Sequence, residues 1–126
     1  MKLSNLILSE QTVDCTFCKI INHEEPATIY YEDDKCICFK PLKSNRVVHI
    51  LIVPKKHIPS INEITFDDQL LIGHLFLVVK DMAKRFKTDE LGYRLIFNVG
   101  NGGRQTIPHI HLHLVGGKDD LGEWGF

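Results

Sequence analysis

Residues Pro108–Gly117 read PHIHLHLVGG. His109, His111 and His113 alternate with Ile110, Leu112 and Leu114, and a period of two marks a β-strand with one face buried. At about 3.3 Å per residue the three rings project from one face, roughly 6–7 Å apart, while the aliphatic side chains anchor the strand to a core. Three of the chain's seven histidines share this row, and core packing gives no reason for it. Imidazole titrates near neutrality, so its nitrogens can attack, move a proton or ligate a metal. The row suits a phosphate or a metal.

Just upstream, Asn98–Thr106 reads NVGNGGRQT. Glycines let backbone N–H groups approach an anion, and Asn98, Arg104, Gln105 and Thr106 add side-chain donors. Alone, such a segment is equally a plain β-turn. Beside the imidazole row it reads as a phosphate cradle.

Four further strands precede the row. Thr28–Glu32 and Lys35–Phe39, separated by Asp33-Asp34, form a hairpin, and His49–Val53 is a central strand ended by Pro54. Tyr93–Val99 alternates as another strand. Between the third and fourth strands, over Thr65–Phe86, the period changes: Leu71, Leu75, Val78, Met82 and Phe86 recur at three- and four-residue steps, one face of a long amphipathic helix. Thr65 and Asp68 resemble its capping box. Cys15–Asn22 makes a turn into a short helix, and Pro26 breaks the chain after it. The expected fold class is α+β: a five-stranded antiparallel sheet, one long helix and a short N-terminal helix.

With 126 residues, 44% hydrophobic and 25% charged, the chain has the size and balance of one globular domain. Residues 1–14 read as a loose extension, 15–117 as the domain and 118–126 as a tail. A net charge of -1 leaves no basic footprint for nucleic acid or an anionic membrane surface. No apolar run approaches the roughly 20 residues that span a bilayer, and the N-terminus lacks a convincing signal-peptide cleavage site. A cytoplasmic location is the default expectation. The four cysteines fall in two close pairs. Cys36 and Cys38 lie two apart in an apolar run and read as core thiols. Cys15-x-x-Cys18 has the spacing of a zinc-binding turn, with buried free thiols as the alternative.

His109-Ile110-His111-Leu112-His113-Leu114-Val115 resembles, without exception, the His-φ-His-φ-His-φ-φ signature of the histidine triad superfamily, HIT. Asn98, Gln105-Thr106, Cys18–Ile21, Tyr31–Asp34, His49–Ile58, Gly92–Arg94 and Gly116-Gly117 extend the resemblance over nearly the whole domain, closest to the Hint-like branch. The resemblance implies a purine nucleoside phosphoramidase: a nucleotide-binding hydrolase that cleaves nucleoside 5'-phosphoramidates through a covalent nucleotidyl-histidine. His111 would be the nucleophile, its other ring nitrogen held by a backbone carbonyl such as that of His109, and His113 would serve the phosphate and leaving group. Asn98, Arg104, Gln105 and Thr106 would steady the phosphate. His49 and His109 would support the triad. Phe17, Ile20, Phe39, Leu42 and Leu51 would line the nucleoside slot. His23, His57 and His74 receive no role.

In several bacterial relatives the paired cysteines bind zinc with two histidines, and the resemblance maps that structural site onto Cys15, Cys18, His49 and His109. The implied partners are a small nucleotide substrate, an AMP or GMP conjugate, and a second copy of the chain in a homodimer. Trp124 or Phe126 in the tail would approach the partner's site. Three departures bear on the substrate, one being Pro108 in place of a frequent aromatic. Pro41 stands where relatives carry a ribose-gripping Asp, and Arg104 stands where a small residue usually precedes the Gln. A dinucleoside polyphosphate hydrolase, a nucleotidylyl transferase and a zinc-stabilised nucleotide-binding scaffold without turnover are the competing readings.

Overall fold

The β-branched runs assemble into one antiparallel sheet. A computed structural model of the chain describes residues 15–117; the 1–14 extension and the 118–126 tail, with Trp124 and Phe126, lie outside the described residues. The strands are β1 (Ile29–Glu32), β2 (Cys36–Phe39), β3 (Val48–Pro54), β4 (Tyr93–Phe97) and β5 (Leu112–Gly116). Their order in the sheet is β1-β2-β3-β5-β4. Among the described residues the α-helices are α1 (Thr16–Ile21) and α2 (Gln69–Arg85). The expected α+β class and the five-stranded sheet are both observed.

Strand alternation divides the core between two faces. Cys36, Cys38, Ile50, Ile52, Leu112 and Leu114 meet Leu75, Val78, Val79, Met82 and Ala83 of α2. Burying one such aliphatic side chain contributes about 1.5–3 kcal/mol. On the opposite face Ile37, Phe39, Leu51 and Val53 are covered by Cys15, Phe17, Cys18 and Ile20 at the N-terminal end. The histidine row belongs to this second face, away from the long helix. None of the helices in the described residues is long and apolar enough to cross a membrane.

Two boundaries differ from the expected ones. The helix begins at Gln69 rather than Thr65, after two short 3-10 turns at Ile61–Glu63 and Phe66–Asp68. The capping pair sits on the second turn: the Asp68 carboxylate accepts the Thr65 N–H at 2.9 Å and meets Lys56 Nζ at 2.6 Å. The last strand begins at Leu112, so His109 and His111 precede the ladder. The ladder's last pair is Ile52 with Leu112, two residues before Pro54 ends β3. Upstream of it the Ile110 N–H is taken instead by the Ile58 carbonyl at 2.8 Å.

The β1–β2 turn is tied to α2 through one carboxylate. Asp33 Oδ1 accepts the Lys35 and Cys36 N–H groups, each at 2.8 Å, while Oδ2 accepts the Tyr31 hydroxyl and His74 Nε2, each at 2.7 Å. Burial pushes this carboxyl up, but the four hydrogen bonds outweigh it and hold Asp33 well below the usual carboxylate range. His74 thus faces the hairpin. Cys36 lies close enough to make a third ligand with Asp33 and His74. Both carboxylate oxygens are nevertheless already committed, which reads as a structural tie.

Candidate active site and metal cluster

His111 Nδ1 lies 2.8 Å from the carbonyl oxygen of His109. A carbonyl only accepts, so Nδ1 carries the proton and Nε2 keeps its lone pair. The ring is buried, packed edge-on against Phe17 at 4.9 Å between centroids, and lies 5.0 Å from the His113 ring. Burial lowers the pKa of His111 despite the bond to His109, and holds it neutral near pH 7. Burial, with His111 and His49 alongside, pushes His113 down to about 3. A neutral ring with one bare nitrogen is the form of imidazole that can attack an electrophile.

Two hollows meet at these rings. The larger, about 450 Å³, is walled by Phe17, Ile20, Phe39, Leu42 and Leu51 and floored by His49, His111 and His113. All five residues expected in the nucleoside slot therefore border one space, with Leu42 on its open rim and Pro41 beside it. The smaller, about 240 Å³, is lined by Asn98, Arg104, Thr106, His111 and His113. Gly103 has to be glycine here, since a Cβ would fall 2.5 Å from the Val99 oxygen.

Gln105 departs from its expected place on the phosphate. Its amide donates to the Pro59 and Ile107 carbonyls at 2.6 and 2.9 Å, and its oxygen accepts the Gly100 N–H at 3.1 Å. Both N–H groups point into the loop, so Gln105 braces the turn that carries Asn98 and Arg104. Asn98 lines the smaller hollow and gives one N–H to the Gly103 carbonyl at 2.7 Å.

The cysteine cluster requires a correction. Cys15, Cys18, His57 and His109 bring one sulfur or nitrogen each to within 4.8 Å of one another. His49 is elsewhere: its Nε2 is 2.9 Å from His113 Nδ1 and its Nδ1 is 2.7 Å from Ser44 Oγ. The reason is register. β3 and β5 run antiparallel with His49 opposite Val115 and Leu51 opposite His113, so His109 belongs beyond the far end of β3. His57, three residues after Pro54, is what lies there.

The four donors fit a tetrahedral cation. The sulfur–nitrogen separations are 3.4 Å for Cys15–His109, 3.2 Å for Cys18–His57 and 3.6 Å for Cys18–His109. Zinc with ordinary bond lengths requires about 3.5 Å between sulfur and nitrogen, and about 3.3 Å between nitrogens. His57 and His109 present their Nδ1 atoms 3.1 Å apart. His109 Nε2 donates to the Pro54 carbonyl at 2.8 Å, which leaves Nδ1 bare for a metal. Burial and the neighbouring Cys15 push the Cys18 thiol up to about 12, so deprotonating it near pH 7 takes a cation.

Comparisons with known proteins place the chain among its relatives. The family model described as "Scavenger mRNA decapping enzyme C-term binding", a HIT-like family, matches residues 14–123. A HIT-like protein of Synechococcus elongatus is 45% identical over 111 residues, covering 88% of this chain and 94% of its own. This chain belongs to the histidine triad family. Among solved HIT structures, a HIT family hydrolase from Legionella pneumophila superposes with a TM-score of 0.82 at 43% identity, covering 84% of this chain and 95% of its own. A histidine triad nucleotide-binding protein from Candida albicans gives 0.78 at 32%, covering 90% and 84%. In this HIT chain His57 is the residue that sequence reasoning passed over. Antiparallel pairing of the two histidine-bearing runs was the signal that pointed to it.

Proposed function

We propose that this HIT protein is a hydrolase of nucleoside 5'-phosphoramidates acting through a covalent nucleotidyl intermediate on His111. The observation that carries the reading is the His111–His109 bond, which fixes a neutral ring with Nε2 bare where the two hollows join.

In this reading the apolar slot takes base and sugar, and the phosphorus stands over His111. Nε2 attacks, a nitrogen–phosphorus bond forms to the ring, and the bond to the amine breaks as the amine takes the Nε2 proton of His113, which is replaced at Nδ1 from solvent through Ser44 and His49. Water then gives a proton to the bare Nε2 of His113 as its oxygen attacks phosphorus, the histidine–phosphorus bond breaks, and the nucleoside monophosphate leaves. Splitting one displacement into two makes a positioned imidazole the first attacker in place of water. Asn98 and Thr106 donate to the phosphate oxygens.

Cys15, Cys18, His57 and His109 are the residues that would hold zinc, bound through four protein ligands and hence structural. Such an ion would clamp α1, and with it Phe17, against the segment that carries His111. A homodimer would cover the exposed Leu70, Phe76 and Leu77 of α2 beside edge strand β4, against which Phe76 already packs through Phe97. The test is turnover of the tryptamine phosphoramidate of AMP. Release of tryptamine and AMP is expected, with acid-labile label trapped on the protein, and His111→Ala should lose at least about a thousandfold in kcat. Turnover retained by His111→Ala excludes the mechanism.

A further inference from the structure

The two hollows share Thr106, His111 and His113 and otherwise have different walls. A phosphorus attacked by His111 holds two groups that need room, the one that stays and the one that leaves, and displacement drives them apart. The apolar slot has the size and lining for a base and sugar. The smaller hollow is then the place for the leaving group. Its lining holds one permanent cation, Arg104.

Arg104 is held there at a conformational cost. Its φ is 64°, in the left-handed region that favours glycine, although Gly100, Gly102 and Gly103 are close by in the same turn. The turn is pinned by Arg104 N–H to the Asn101 carbonyl at 3.0 Å and Gln105 N–H to the Gly100 carbonyl at 3.0 Å. The Gln105 side chain bolts it to Pro59 and Ile107. None of the described residues gives the Arg104 guanidinium a hydrogen bond or a carboxylate. A strained backbone that sets an exposed, uncommitted arginine in the lining of a reaction site points to a ligand.

We propose that the smaller hollow is the leaving-group subsite and that Arg104 makes it select leaving groups with an anion of their own over neutral ones. The shared chemistry is a carboxylate or phosphate a few bonds beyond the scissile nitrogen or oxygen. A guanidinium pairs with either through two parallel N–H bonds. This rests on the hydrolase reading of the preceding subsection, and it adds the class of leaving group.

The experiment compares kcat/KM for AMP phosphoramidates of β-alanine and of its neutral primary amide, with diadenosine tetraphosphate as the phosphate arm. The wild type should favour the carboxylate over the amide by about tenfold or more, and the ratio should shrink as salt rises. Arg104→Gly relaxes the backbone and removes the charge. It should bring the ratio to within about threefold of unity, Arg104→Lys should retain part of the preference, and Arg104→Glu should reverse it. If Arg104→Gly lowers both substrates equally, the guanidinium serves the transferred phosphate and the subsite assignment is wrong. A wild-type ratio near unity also overturns it. Non-cleavable adenosine carbamates of the same two amines, measured by calorimetry, test the subsite without turnover. If no phosphoramidate is cleaved but the carboxylate carbamate binds more tightly in an Arg104-dependent way, the reaction reading fails and the subsite stands. Equal binding of the two carbamates rejects the subsite.

Discussion

His49 Nε2 stands 2.9 Å from His113 Nδ1 and His49 Nδ1 stands 2.7 Å from Ser44 Oγ, a chain that ends on the last ring of the triad. The Ser44 oxygen also accepts the Arg46 N–H at 3.2 Å, so its own proton is available to His49. His49 then donates to His113 Nδ1, so in the proposed reaction the His113 Nε2 proton is the one passed to the leaving group.

The first prediction follows from that chain. His49→Ala should lower kcat about tenfold or more by freeing the His113 ring, while its zinc content matches the wild type. Elemental analysis beside kinetics decides it, and loss of zinc in this variant would restore His49 to the metal site.

His57→Ala and Cys15→Ser should show the opposite pattern. Each is expected to lose bound zinc and to lower the melting temperature by at least about 5 °C, as chelation of the wild-type protein should. Unchanged zinc in both variants would dissolve the cluster.

Acid should weaken the fold through His113. Its pKa is about 3 in the native state, lowered by burial and by His111 and His49, against an ordinary value near 6.5. Between those values the unfolded chain binds a proton that the native ring refuses. This contribution to stability is therefore full above about pH 6.5 and falls away as pH drops toward 3. Urea unfolding at pH 7 and pH 5 should show the loss, and His113→Asn should reduce it.

Asp33 acts at lower pH. Its carboxylate stays ionised below the ordinary range, so the stability it brings persists above about pH 4 and is lost only on further acidification. Asp33→Ala strands two backbone N–H groups and His74, and should cost about 1–3 kcal/mol in chemical denaturation. A near-neutral change would show that the hairpin does not depend on its tie to α2.

Gly103→Ala should impair turnover more than folding. The new methyl would meet Val99 backbone atoms at 2.5 and 2.8 Å, which forces the turn carrying Asn98 and Arg104 to shift. Far-UV spectra and melting should stay near wild type while kcat/KM falls; an active variant would mean the turn tolerates displacement.

Periodicity alone was enough to read the elements that matter. The alternation in β5 and the three- and four-residue spacing in α2 specify which faces are buried, because a side chain's direction follows directly from strand and helix geometry. The thiols Cys36 and Cys38 lie buried on the α2 side of the sheet, as their spacing required. Boundaries were less legible. Where β5 begins depends on where its neighbour stops, and the Ile58 carbonyl captures the chain upstream of the ladder.

The sequence by itself determined that three imidazoles face one way and that a cysteine pair sits near the N-terminus. Tertiary structure alone decided which histidine joins the cysteines and which stands behind His113. His49 and His57 are eight positions apart on one run, and only the antiparallel register of β3 against β5 sends them to opposite ends of the triad. Arg104 was visible as a residue, but a turn bolted to Pro59 sets it in the lining of the hollow beside His111. Contacts of this kind join segments far apart in the chain, and local propensity carries no information about them.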